Sequence, residues 1–328
     1  MQKIEKLLQK RAAELLAEGT VERVLAWQAG EFFYDNTPAA VSSADECDKL
    51  VYNEFCPANL CKYLIETSHA GKKTAVFLKS CDTYGVNQLL KDNRIKREFV
   101  YAIGTPCSGM LDINKIKAAG AKGIISVSVD GDEVVVNTAY GEKRLAKADV
   151  LLNKCLMCKG AAYKIADEEL AEPLPVPQFT GDKFAKVKEI EAMSPEERFA
   201  FWQSELSKCI RCNACRNVCP ACTCENCVFD NPNSGIAQRA ATDSFEENMF
   251  HLIRSFHVAG RCTDCGECTR VCPQNIPLHL INRKYIKDIN EFYGDYQAGS
   301  DLETRAPLNA YTFGDCEPNI VYKRGGNE

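Results

Sequence analysis

CIRCNACRNVCP (Cys209–Pro220) and its echo CTDCGECTRVCP (Cys262–Pro273) decide how this chain is read. Each run spaces four cysteines as Cys-x2-Cys-x2-Cys-x3-Cys and follows the last with proline. That spacing wraps a 4Fe-4S cube, and the fourth cysteine of each run reaches across to the cube of the other. The expected ligand sets are therefore crossed. Cys209, Cys212, Cys215 and Cys272 form one set, and Cys262, Cys265, Cys268 and Cys219 form the other. Paired zinc sites are the competing reading, but zinc has no use for an interlocked fourth cysteine before proline. Two cubes held side by side move single electrons through a protein interior.

Outward from these runs, 328 residues can bury a sizeable core and suggest two domains. Nineteen cysteines would spell a disulfide scaffold in a short secreted chain. Here no charged-then-apolar leader opens the sequence, so the cysteines read as metal ligands in a reducing, cytoplasmic setting, in an organism that meets little oxygen. No apolar run is long enough to span a membrane. A net charge of −5 argues against a nucleic-acid partner.

Ile4, Leu7, Leu8, Leu15 and Leu16 share one face of a helix over residues 1–18, which Gly19 stops. Val21–Trp27 and Glu31–Tyr34 read as a hairpin through Ala29-Gly30, and a helix is expected over Ala58–Glu66. Thr74–Leu78 and Phe99–Ile103 are fully apolar strands around a helix at Tyr84–Leu90. That is a βαβ unit, whose strands lie parallel with both faces covered. Ile124–Val129 and Glu133–Thr138 form a second hairpin through Asp130-Gly131.

Glu172–Lys183 turns to proline and glycine and reads as linker. Ser194-Pro195-Glu196-Glu197 is a capping box opening a helix through Trp202. The 42 residues between Cys219 and Cys262 are longer than a strand-based ferredoxin uses. Phe245–Val258 has helical spacing, with Met249, Leu252, Ile253 and Phe256 as its apolar face, and another helix follows Pro277. This half resembles the all-helical dicluster ferredoxins of heterodisulfide reductase and succinate dehydrogenase-type subunits. The expected fold is an α/β (or α+β) first domain at 1–171, with a short parallel βαβ core and hairpins. A linker at 172–193, an all-helical dicluster ferredoxin at 194–293 and an extended tail at 294–328 follow. The tail lacks periodicity, as segments that dock on a partner do.

Cys81 and Cys107 each follow a strand of the βαβ unit, where ligands of parallel sheets gather. Cys155 and Cys158 follow a short run, Val150–Leu152, that can return to the same edge. Four converging sulfurs would hold a third 4Fe-4S cube; as an alternative, Cys81 and Cys107 are small buried hydrophobes. VFLKSCD (Val76–Asp82), IGTPCSG (Ile103–Gly109), NKCLMCKG (Asn153–Gly160) and IADEELAEP (Ile165–Pro173) resemble the beta-subunit family of coenzyme F-420 hydrogenases and dehydrogenases. The resemblance covers about residues 20–175. It implies an iron–sulfur cluster on these four cysteines and, in full-length members, a flavin that exchanges electrons with a deazaflavin. The chain departs by turning to linker where the family continues around its flavin, by Ser80 in place of a frequent proline, and by lacking G-x-G-x-x-G. FAD therefore stays open.

Cys222, Cys224 and Cys227 stand beside the first run and suggest a further cluster or a zinc site, with Cys56, Cys61 or Cys316 available as a fourth ligand. Cys47, Cys56 and Cys61 are spaced irregularly and read as packing residues. His251 and His257 lie too far apart on one helix to share a metal. The expected function is a multi-cluster electron-transfer subunit of a cytoplasmic anaerobic redox complex, with no catalytic residue assigned. Hydrogenase, formate dehydrogenase or heterodisulfide-reductase-like subunits, flavin-bifurcating ones included, are its expected partners. The alternative is a flavin-containing dehydrogenase subunit that itself exchanges hydride with a deazaflavin or NADH.

Overall fold

The computed structural model describes residues 1–231, 233 and 244–309. Helix α1 (Gln2–Ala17) buries Ile4, Leu8, Ala12 and Leu15, while Leu7 faces solvent. Strands β1 (Arg23–Ala29) and β2 (Asn36–Val41) pair antiparallel. The second arm of this hairpin begins later than Glu31–Tyr34, which instead forms its connection, where three aromatic rings, Phe32, Phe33 and Tyr34, pack on one another. The helix expected from Ala58 begins only as a 3₁₀ turn at Cys61–Tyr63 and continues as α2 (Leu64–His69).

Strand β3 (Thr74–Leu78) is buried at all five positions, and α3 (Ser80–Lys91) carries the chain to β4 (Val100–Gly104), parallel to β3. This is the expected βαβ unit, dry on both faces because helices and loops cover it. Helix α4 (Ile113–Ala118) leads to a separate antiparallel sheet of β5 (Ile124–Asp130), β6 (Glu133–Thr138) and β7 (Gly141–Ala146), whose third strand the sequence reading did not foresee. The short run Val150–Leu152 follows a single turn, α5 (Lys147–Val150), and pairs only through an isolated bridge, Leu151 to Leu111. The two-residue β8 (Glu168–Glu169) closes the first sheet in the order β2-β1-β3-β4-β8. Trp27, Tyr52, Leu60, Leu64, Phe77 and Leu78 centre its core.

From residue 185 onward every element among the described residues is helical. The expected linker contains α6 (Ala185–Glu191), whose Val187 and Ile190 pack on Leu280. Helix α7 (Pro195–Leu206) starts on the capping box, with the Ser194 and Glu197 side chains each accepting the other's backbone N–H. One-turn α8 (Ala214–Asn217), then α9 (Ser244–Val258), one-turn α10 (Glu267–Arg270) and α11 (Leu278–Tyr293) complete the half. Helix α9 forms where its spacing predicted, and Met249 and Ile253 of its expected apolar face pack on the core. Leu252 and Phe256 are exposed, and the inward side carries Glu247, Phe250, His251, Arg254, Ser255 and Val258. The expected tail folds back over the first domain up to the last described residues: Asn87 donates to the Gly299 carbonyl (3.1 Å) and Lys91 to that of Thr304. Residues 310–328, with Cys316, lie outside the described residues.

Candidate metal centres

The two cysteine runs fold alike. Arg211 and Asn213 in the first, Asp264 and Gly266 in the second, take the left-handed conformation. Three of these four are not glycine, so each loop stores backbone strain of about 1–3 kcal/mol per residue, the kind that collects at functional sites. The conformation turns the N–H two residues on back to sulfur: Arg211 N donates to Cys209 Sγ at 3.4 Å, and Asp264 N, Glu267 N and Ala221 N donate to Cys262, Cys265 and Cys219. Immediately after the strained residues, α8 and α10 begin and hold Cys215 and Cys268 buried.

The thiols acting electrostatically on Cys215 are Cys209, Cys272 and Cys212, the members of the first expected set. Those acting on Cys268 are Cys265, Cys219 and Cys262, the members of the second. Burial pushes Cys209, Cys215, Cys262, Cys265 and Cys268 up, Cys265 to about 12, so a buried sulfur here ionises only against a cation or metal.

In the first domain Cys81 opens α3 directly after β3, and Cys107 follows β4. Leu152 N donates to Met110 O at 2.9 Å, which brings Cys155 and Cys158 to the same edge. All four line one cleft together with Asp264 and Cys265 of the second run. Gly109 N reaches Cys107 Sγ at 3.4 Å and Met110 N reaches Cys155 Sγ at 3.3 Å. Burial raises Cys107 to about 12, with Cys155 adding to the shift.

Buried ion pairs that the sequence reading missed hold these sites. Lys79 Nζ lies 2.8 Å from Asp82 Oδ2, donates to the Ala58 and Cys56 carbonyls at 2.9 and 3.2 Å, and sits 4.3 Å from the Trp27 ring centre. Lys154, beside Cys155, donates to Glu267 Oε1 and to the Pro57 carbonyl, both at 2.6 Å. Glu267, between Cys265 and Cys268, also accepts Arg270 through Nε and Nη2 at 2.8 and 2.7 Å and Asn59 N at 3.2 Å. Burial alone would raise the Glu267 carboxyl, but Lys154 and Arg270 outweigh it and hold it well below the usual carboxylate range. Gly266 lets this contact close, because a Cβ there would stand 2.9 Å from Lys154 Cβ. Likewise a Cβ on Gly85 of α3 would meet Cys61 Sγ at 3.0 Å and Pro220 Cγ at 3.4 Å. The visible signals were lysine next to cysteine in KSCD and NKC, and a glutamate inside a cysteine run.

Of the remaining cysteines, Cys47, Cys56 and Cys61 are fully buried packing residues, and Cys61 Sγ donates to the Asp82 carbonyl at 2.9 Å. Cys222 bonds the Cys219 sulfur, which with Arg254 and Lys62 lowers it to about 7 against the effect of burial; Cys227 acts on it as well, and Cys224 is exposed. Lys62 pins this segment by donating to the Arg216 carbonyl (3.1 Å) and the Cys222 carbonyl. His251 is a core residue and His257 a surface one.

Among the described residues no three His, Cys, Asp or Glu side chains converge as a single metal ion requires. The donor set fits iron–sulfur cubes: soft thiols, backbone N–H groups aimed at sulfur, and on α9 a buried Arg254 whose guanidinium has no hydrogen-bond partner among the described residues. A buried cation left this way calls for an anion opposite it.

Comparison with known proteins agrees with this geometry. Residues 205–276 match the 4Fe-4S dicluster domain. The chain is similar to the F420-dependent formate dehydrogenase subunit beta of Methanocaldococcus jannaschii, 25% identical over 83% of this chain and 86% of that one. It is also similar to the F420-dependent formate dehydrogenase 1 subunit beta of Methanococcus maripaludis, 24% identical over 90% of each. A chain of the F420-reducing [NiFe] hydrogenase complex from Methanosarcina barkeri overlays with a TM-score of 0.40 at 16% identity, over 51% of this chain and 65% of that one. No helix among the described residues is long and apolar enough to cross a membrane. The chain is thus similar along most of its length to beta subunits of F420-dependent formate dehydrogenases, and its residues 205–276 match a 4Fe-4S dicluster domain.

Proposed function

We propose that this chain is the iron–sulfur electron-transfer subunit of an anaerobic redox complex of the formate dehydrogenase or hydrogenase type, passing single electrons between a hydride-oxidising partner and another redox subunit. Three four-cysteine sets would hold 4Fe-4S cubes: Cys81, Cys107, Cys155 and Cys158 in the first domain, then the two crossed sets of the helical dicluster ferredoxin. Bound cubes supply reversible one-electron chemistry with little rearrangement of their surroundings.

One observation carries the reading. Asp264 and Cys265 line the same cleft as the four first-domain thiols, so the first set and the second ferredoxin set abut across the domain contact. The Lys154–Glu267–Arg270 network ties the two halves together at that contact. Along the molecule the order is then the first-domain set, the set of Cys262, Cys265, Cys268 and Cys219, and the set of Cys209, Cys212, Cys215 and Cys272. Nothing in this order asks for a general acid, base or nucleophile.

Iron and acid-labile sulfide in anaerobically prepared protein test it. Three loaded sets predict about 12 iron atoms per chain, and about 4 more if Cys222, Cys224 and Cys227 bind a cluster. Cys81→Ser should remove about 4 iron atoms and leave the ferredoxin pair intact. Zinc without sulfide would overturn the reading, and iron unchanged by Cys81→Ser would overturn the first-domain set.

A further inference from the structure

Beside the apolar Phe250 and Val258, the inward face of α9 buries Glu247, His251, Arg254 and Ser255, polar groups where a core helix is normally apolar. Arg254 follows Phe250 and precedes Val258 along one buried row, is 1% exposed, and leaves Nε, Nη1 and Nη2 without a partner among the described residues. Other arginines around the cysteine runs are neutralised by carboxylates: Arg216 by Asp230, Arg261 by Asp92, Arg270 by Glu267 and Arg283 by Asp264. Arg254 is in no ion pair with any described carboxylate. The groups that act on it are thiols from both sets: Cys268 most, then Cys215, Cys219 and Cys222. His251, one turn earlier, is equally buried, and burial together with Arg254 and Arg211 holds it at about 3, hence neutral. It adds no charge of its own.

An isolated buried guanidinium is costly unless something anionic compensates it. A thiolate-ligated cube is anionic, and it gains one further negative charge when a one-electron donor reduces it. No bond is made or broken, and no proton is required. A cation facing both sets therefore favours the reduced state of each, through the charge and burial effects that set cluster potentials.

We infer that Arg254 is a redox-positioning residue shared by the two ferredoxin sets, raising the reduction potential of both together. The inference rests on the proposed loading of these sets with 4Fe-4S cubes.

Iron and sulfide in the unmodified protein are measured first; their absence sinks the loading and not the role of Arg254. EPR-monitored redox titrations with dithionite as reductant then compare Arg254→Met and Arg254→Lys with the native chain. Loss of the charge should make reduction at both ferredoxin transitions at least tenfold less favourable, about 59 mV lower for a one-electron couple. The first-domain transition should stay in place, and Arg254→Lys should recover most of the shift. The inference is overturned if neither ferredoxin transition moves by more than twofold, if only one moves, or if the first-domain transition moves as far. Should Arg254→Met lose iron, Arg254→Gln, which removes the charge and keeps hydrogen-bond donors, takes its place under the same criteria. Loss of iron in both charge-free variants, with native potentials unchanged in Arg254→Lys, refutes a role confined to the potential.

Discussion

Replacing Glu267 with glutamine removes one negative charge from the centre of the domain contact and changes almost nothing in shape. The Glu267 side chain is 1% exposed and that of Lys154 is 8% exposed. Four donors converge on the carboxylate, two of them from Arg270, one from Lys154 and one from the Asn59 backbone. A glutamine amide can accept only part of this set, and it turns an N–H₂ toward cations. Breaking one side of a buried pair costs about 3–5 kcal/mol, because the partner charge stays buried without compensation. The loss should appear in urea unfolding of the anaerobically prepared protein, followed by the fluorescence of Trp27 in the first domain and Trp202 on α7. Lys154→Met combined with Glu267→Gln should recover a large part of it, since the uncompensated ammonium disappears with its partner. The pH dependence has a definite sign. The folded carboxyl lies below its unfolded value near 4.3, so its contribution is complete at neutral pH and fades only on acidification below about pH 5. A loss under about 1 kcal/mol would refute the reasoning, for it would mean that the pair is hydrated like a surface ion pair.

Two further outcomes separate alternatives. If the ferredoxin sets are crossed, Cys209→Ser with Cys272→Ser removes about 4 iron atoms, whereas Cys262→Ser with Cys272→Ser removes about 8; the uncrossed arrangement reverses the two results. Lys79→Met strands the Asp82 carboxylate and removes donors from the Ala58 and Cys56 carbonyls, so unfolding free energy should fall by about 3–5 kcal/mol, with Asp82→Asn in the same chain restoring part of it.

Local pattern made much of the fold legible. The βαβ unit at Thr74–Gly104 was visible because doubly covered strands must be continuously apolar. The helix at Pro195 was visible because its cap is written in Ser194 and Glu197. Where pattern is thin, placement failed. The arm of the first hairpin slid from Glu31–Tyr34 to Asn36–Val41, since an aromatic connection is as apolar as a strand. Helix α6 was read as part of the linker at 172–193 because seven residues carry too little periodicity to stand out. The inward face of α9 was only partly legible: Met249 and Ile253 pack on the core as expected, but beside the Cys215 and Cys268 thiols of that core Arg254 and His251 also turn inward, which hydrophobic patterning does not foresee, while Phe256 is 62% exposed.

Spacing along the chain was enough to expect two ferredoxin sets, because three ligands of each lie within a few residues of one another, a short loop has few ways to wrap a cube, and the motif itself takes the fourth from the other run. The four first-domain thiols, and the relation of that site to the ferredoxin, depended on the tertiary structure. Cys81 and Cys155 are 74 positions apart, and nothing local obliges them to meet. Packing of β3, β4 and the Leu151 bridge brings them together, and the burial of Lys154 against Glu267 then sets Cys265 at the same cleft. Long-range proximity is a property of a packed core, because its energy comes from surfaces that meet only once the whole chain has folded.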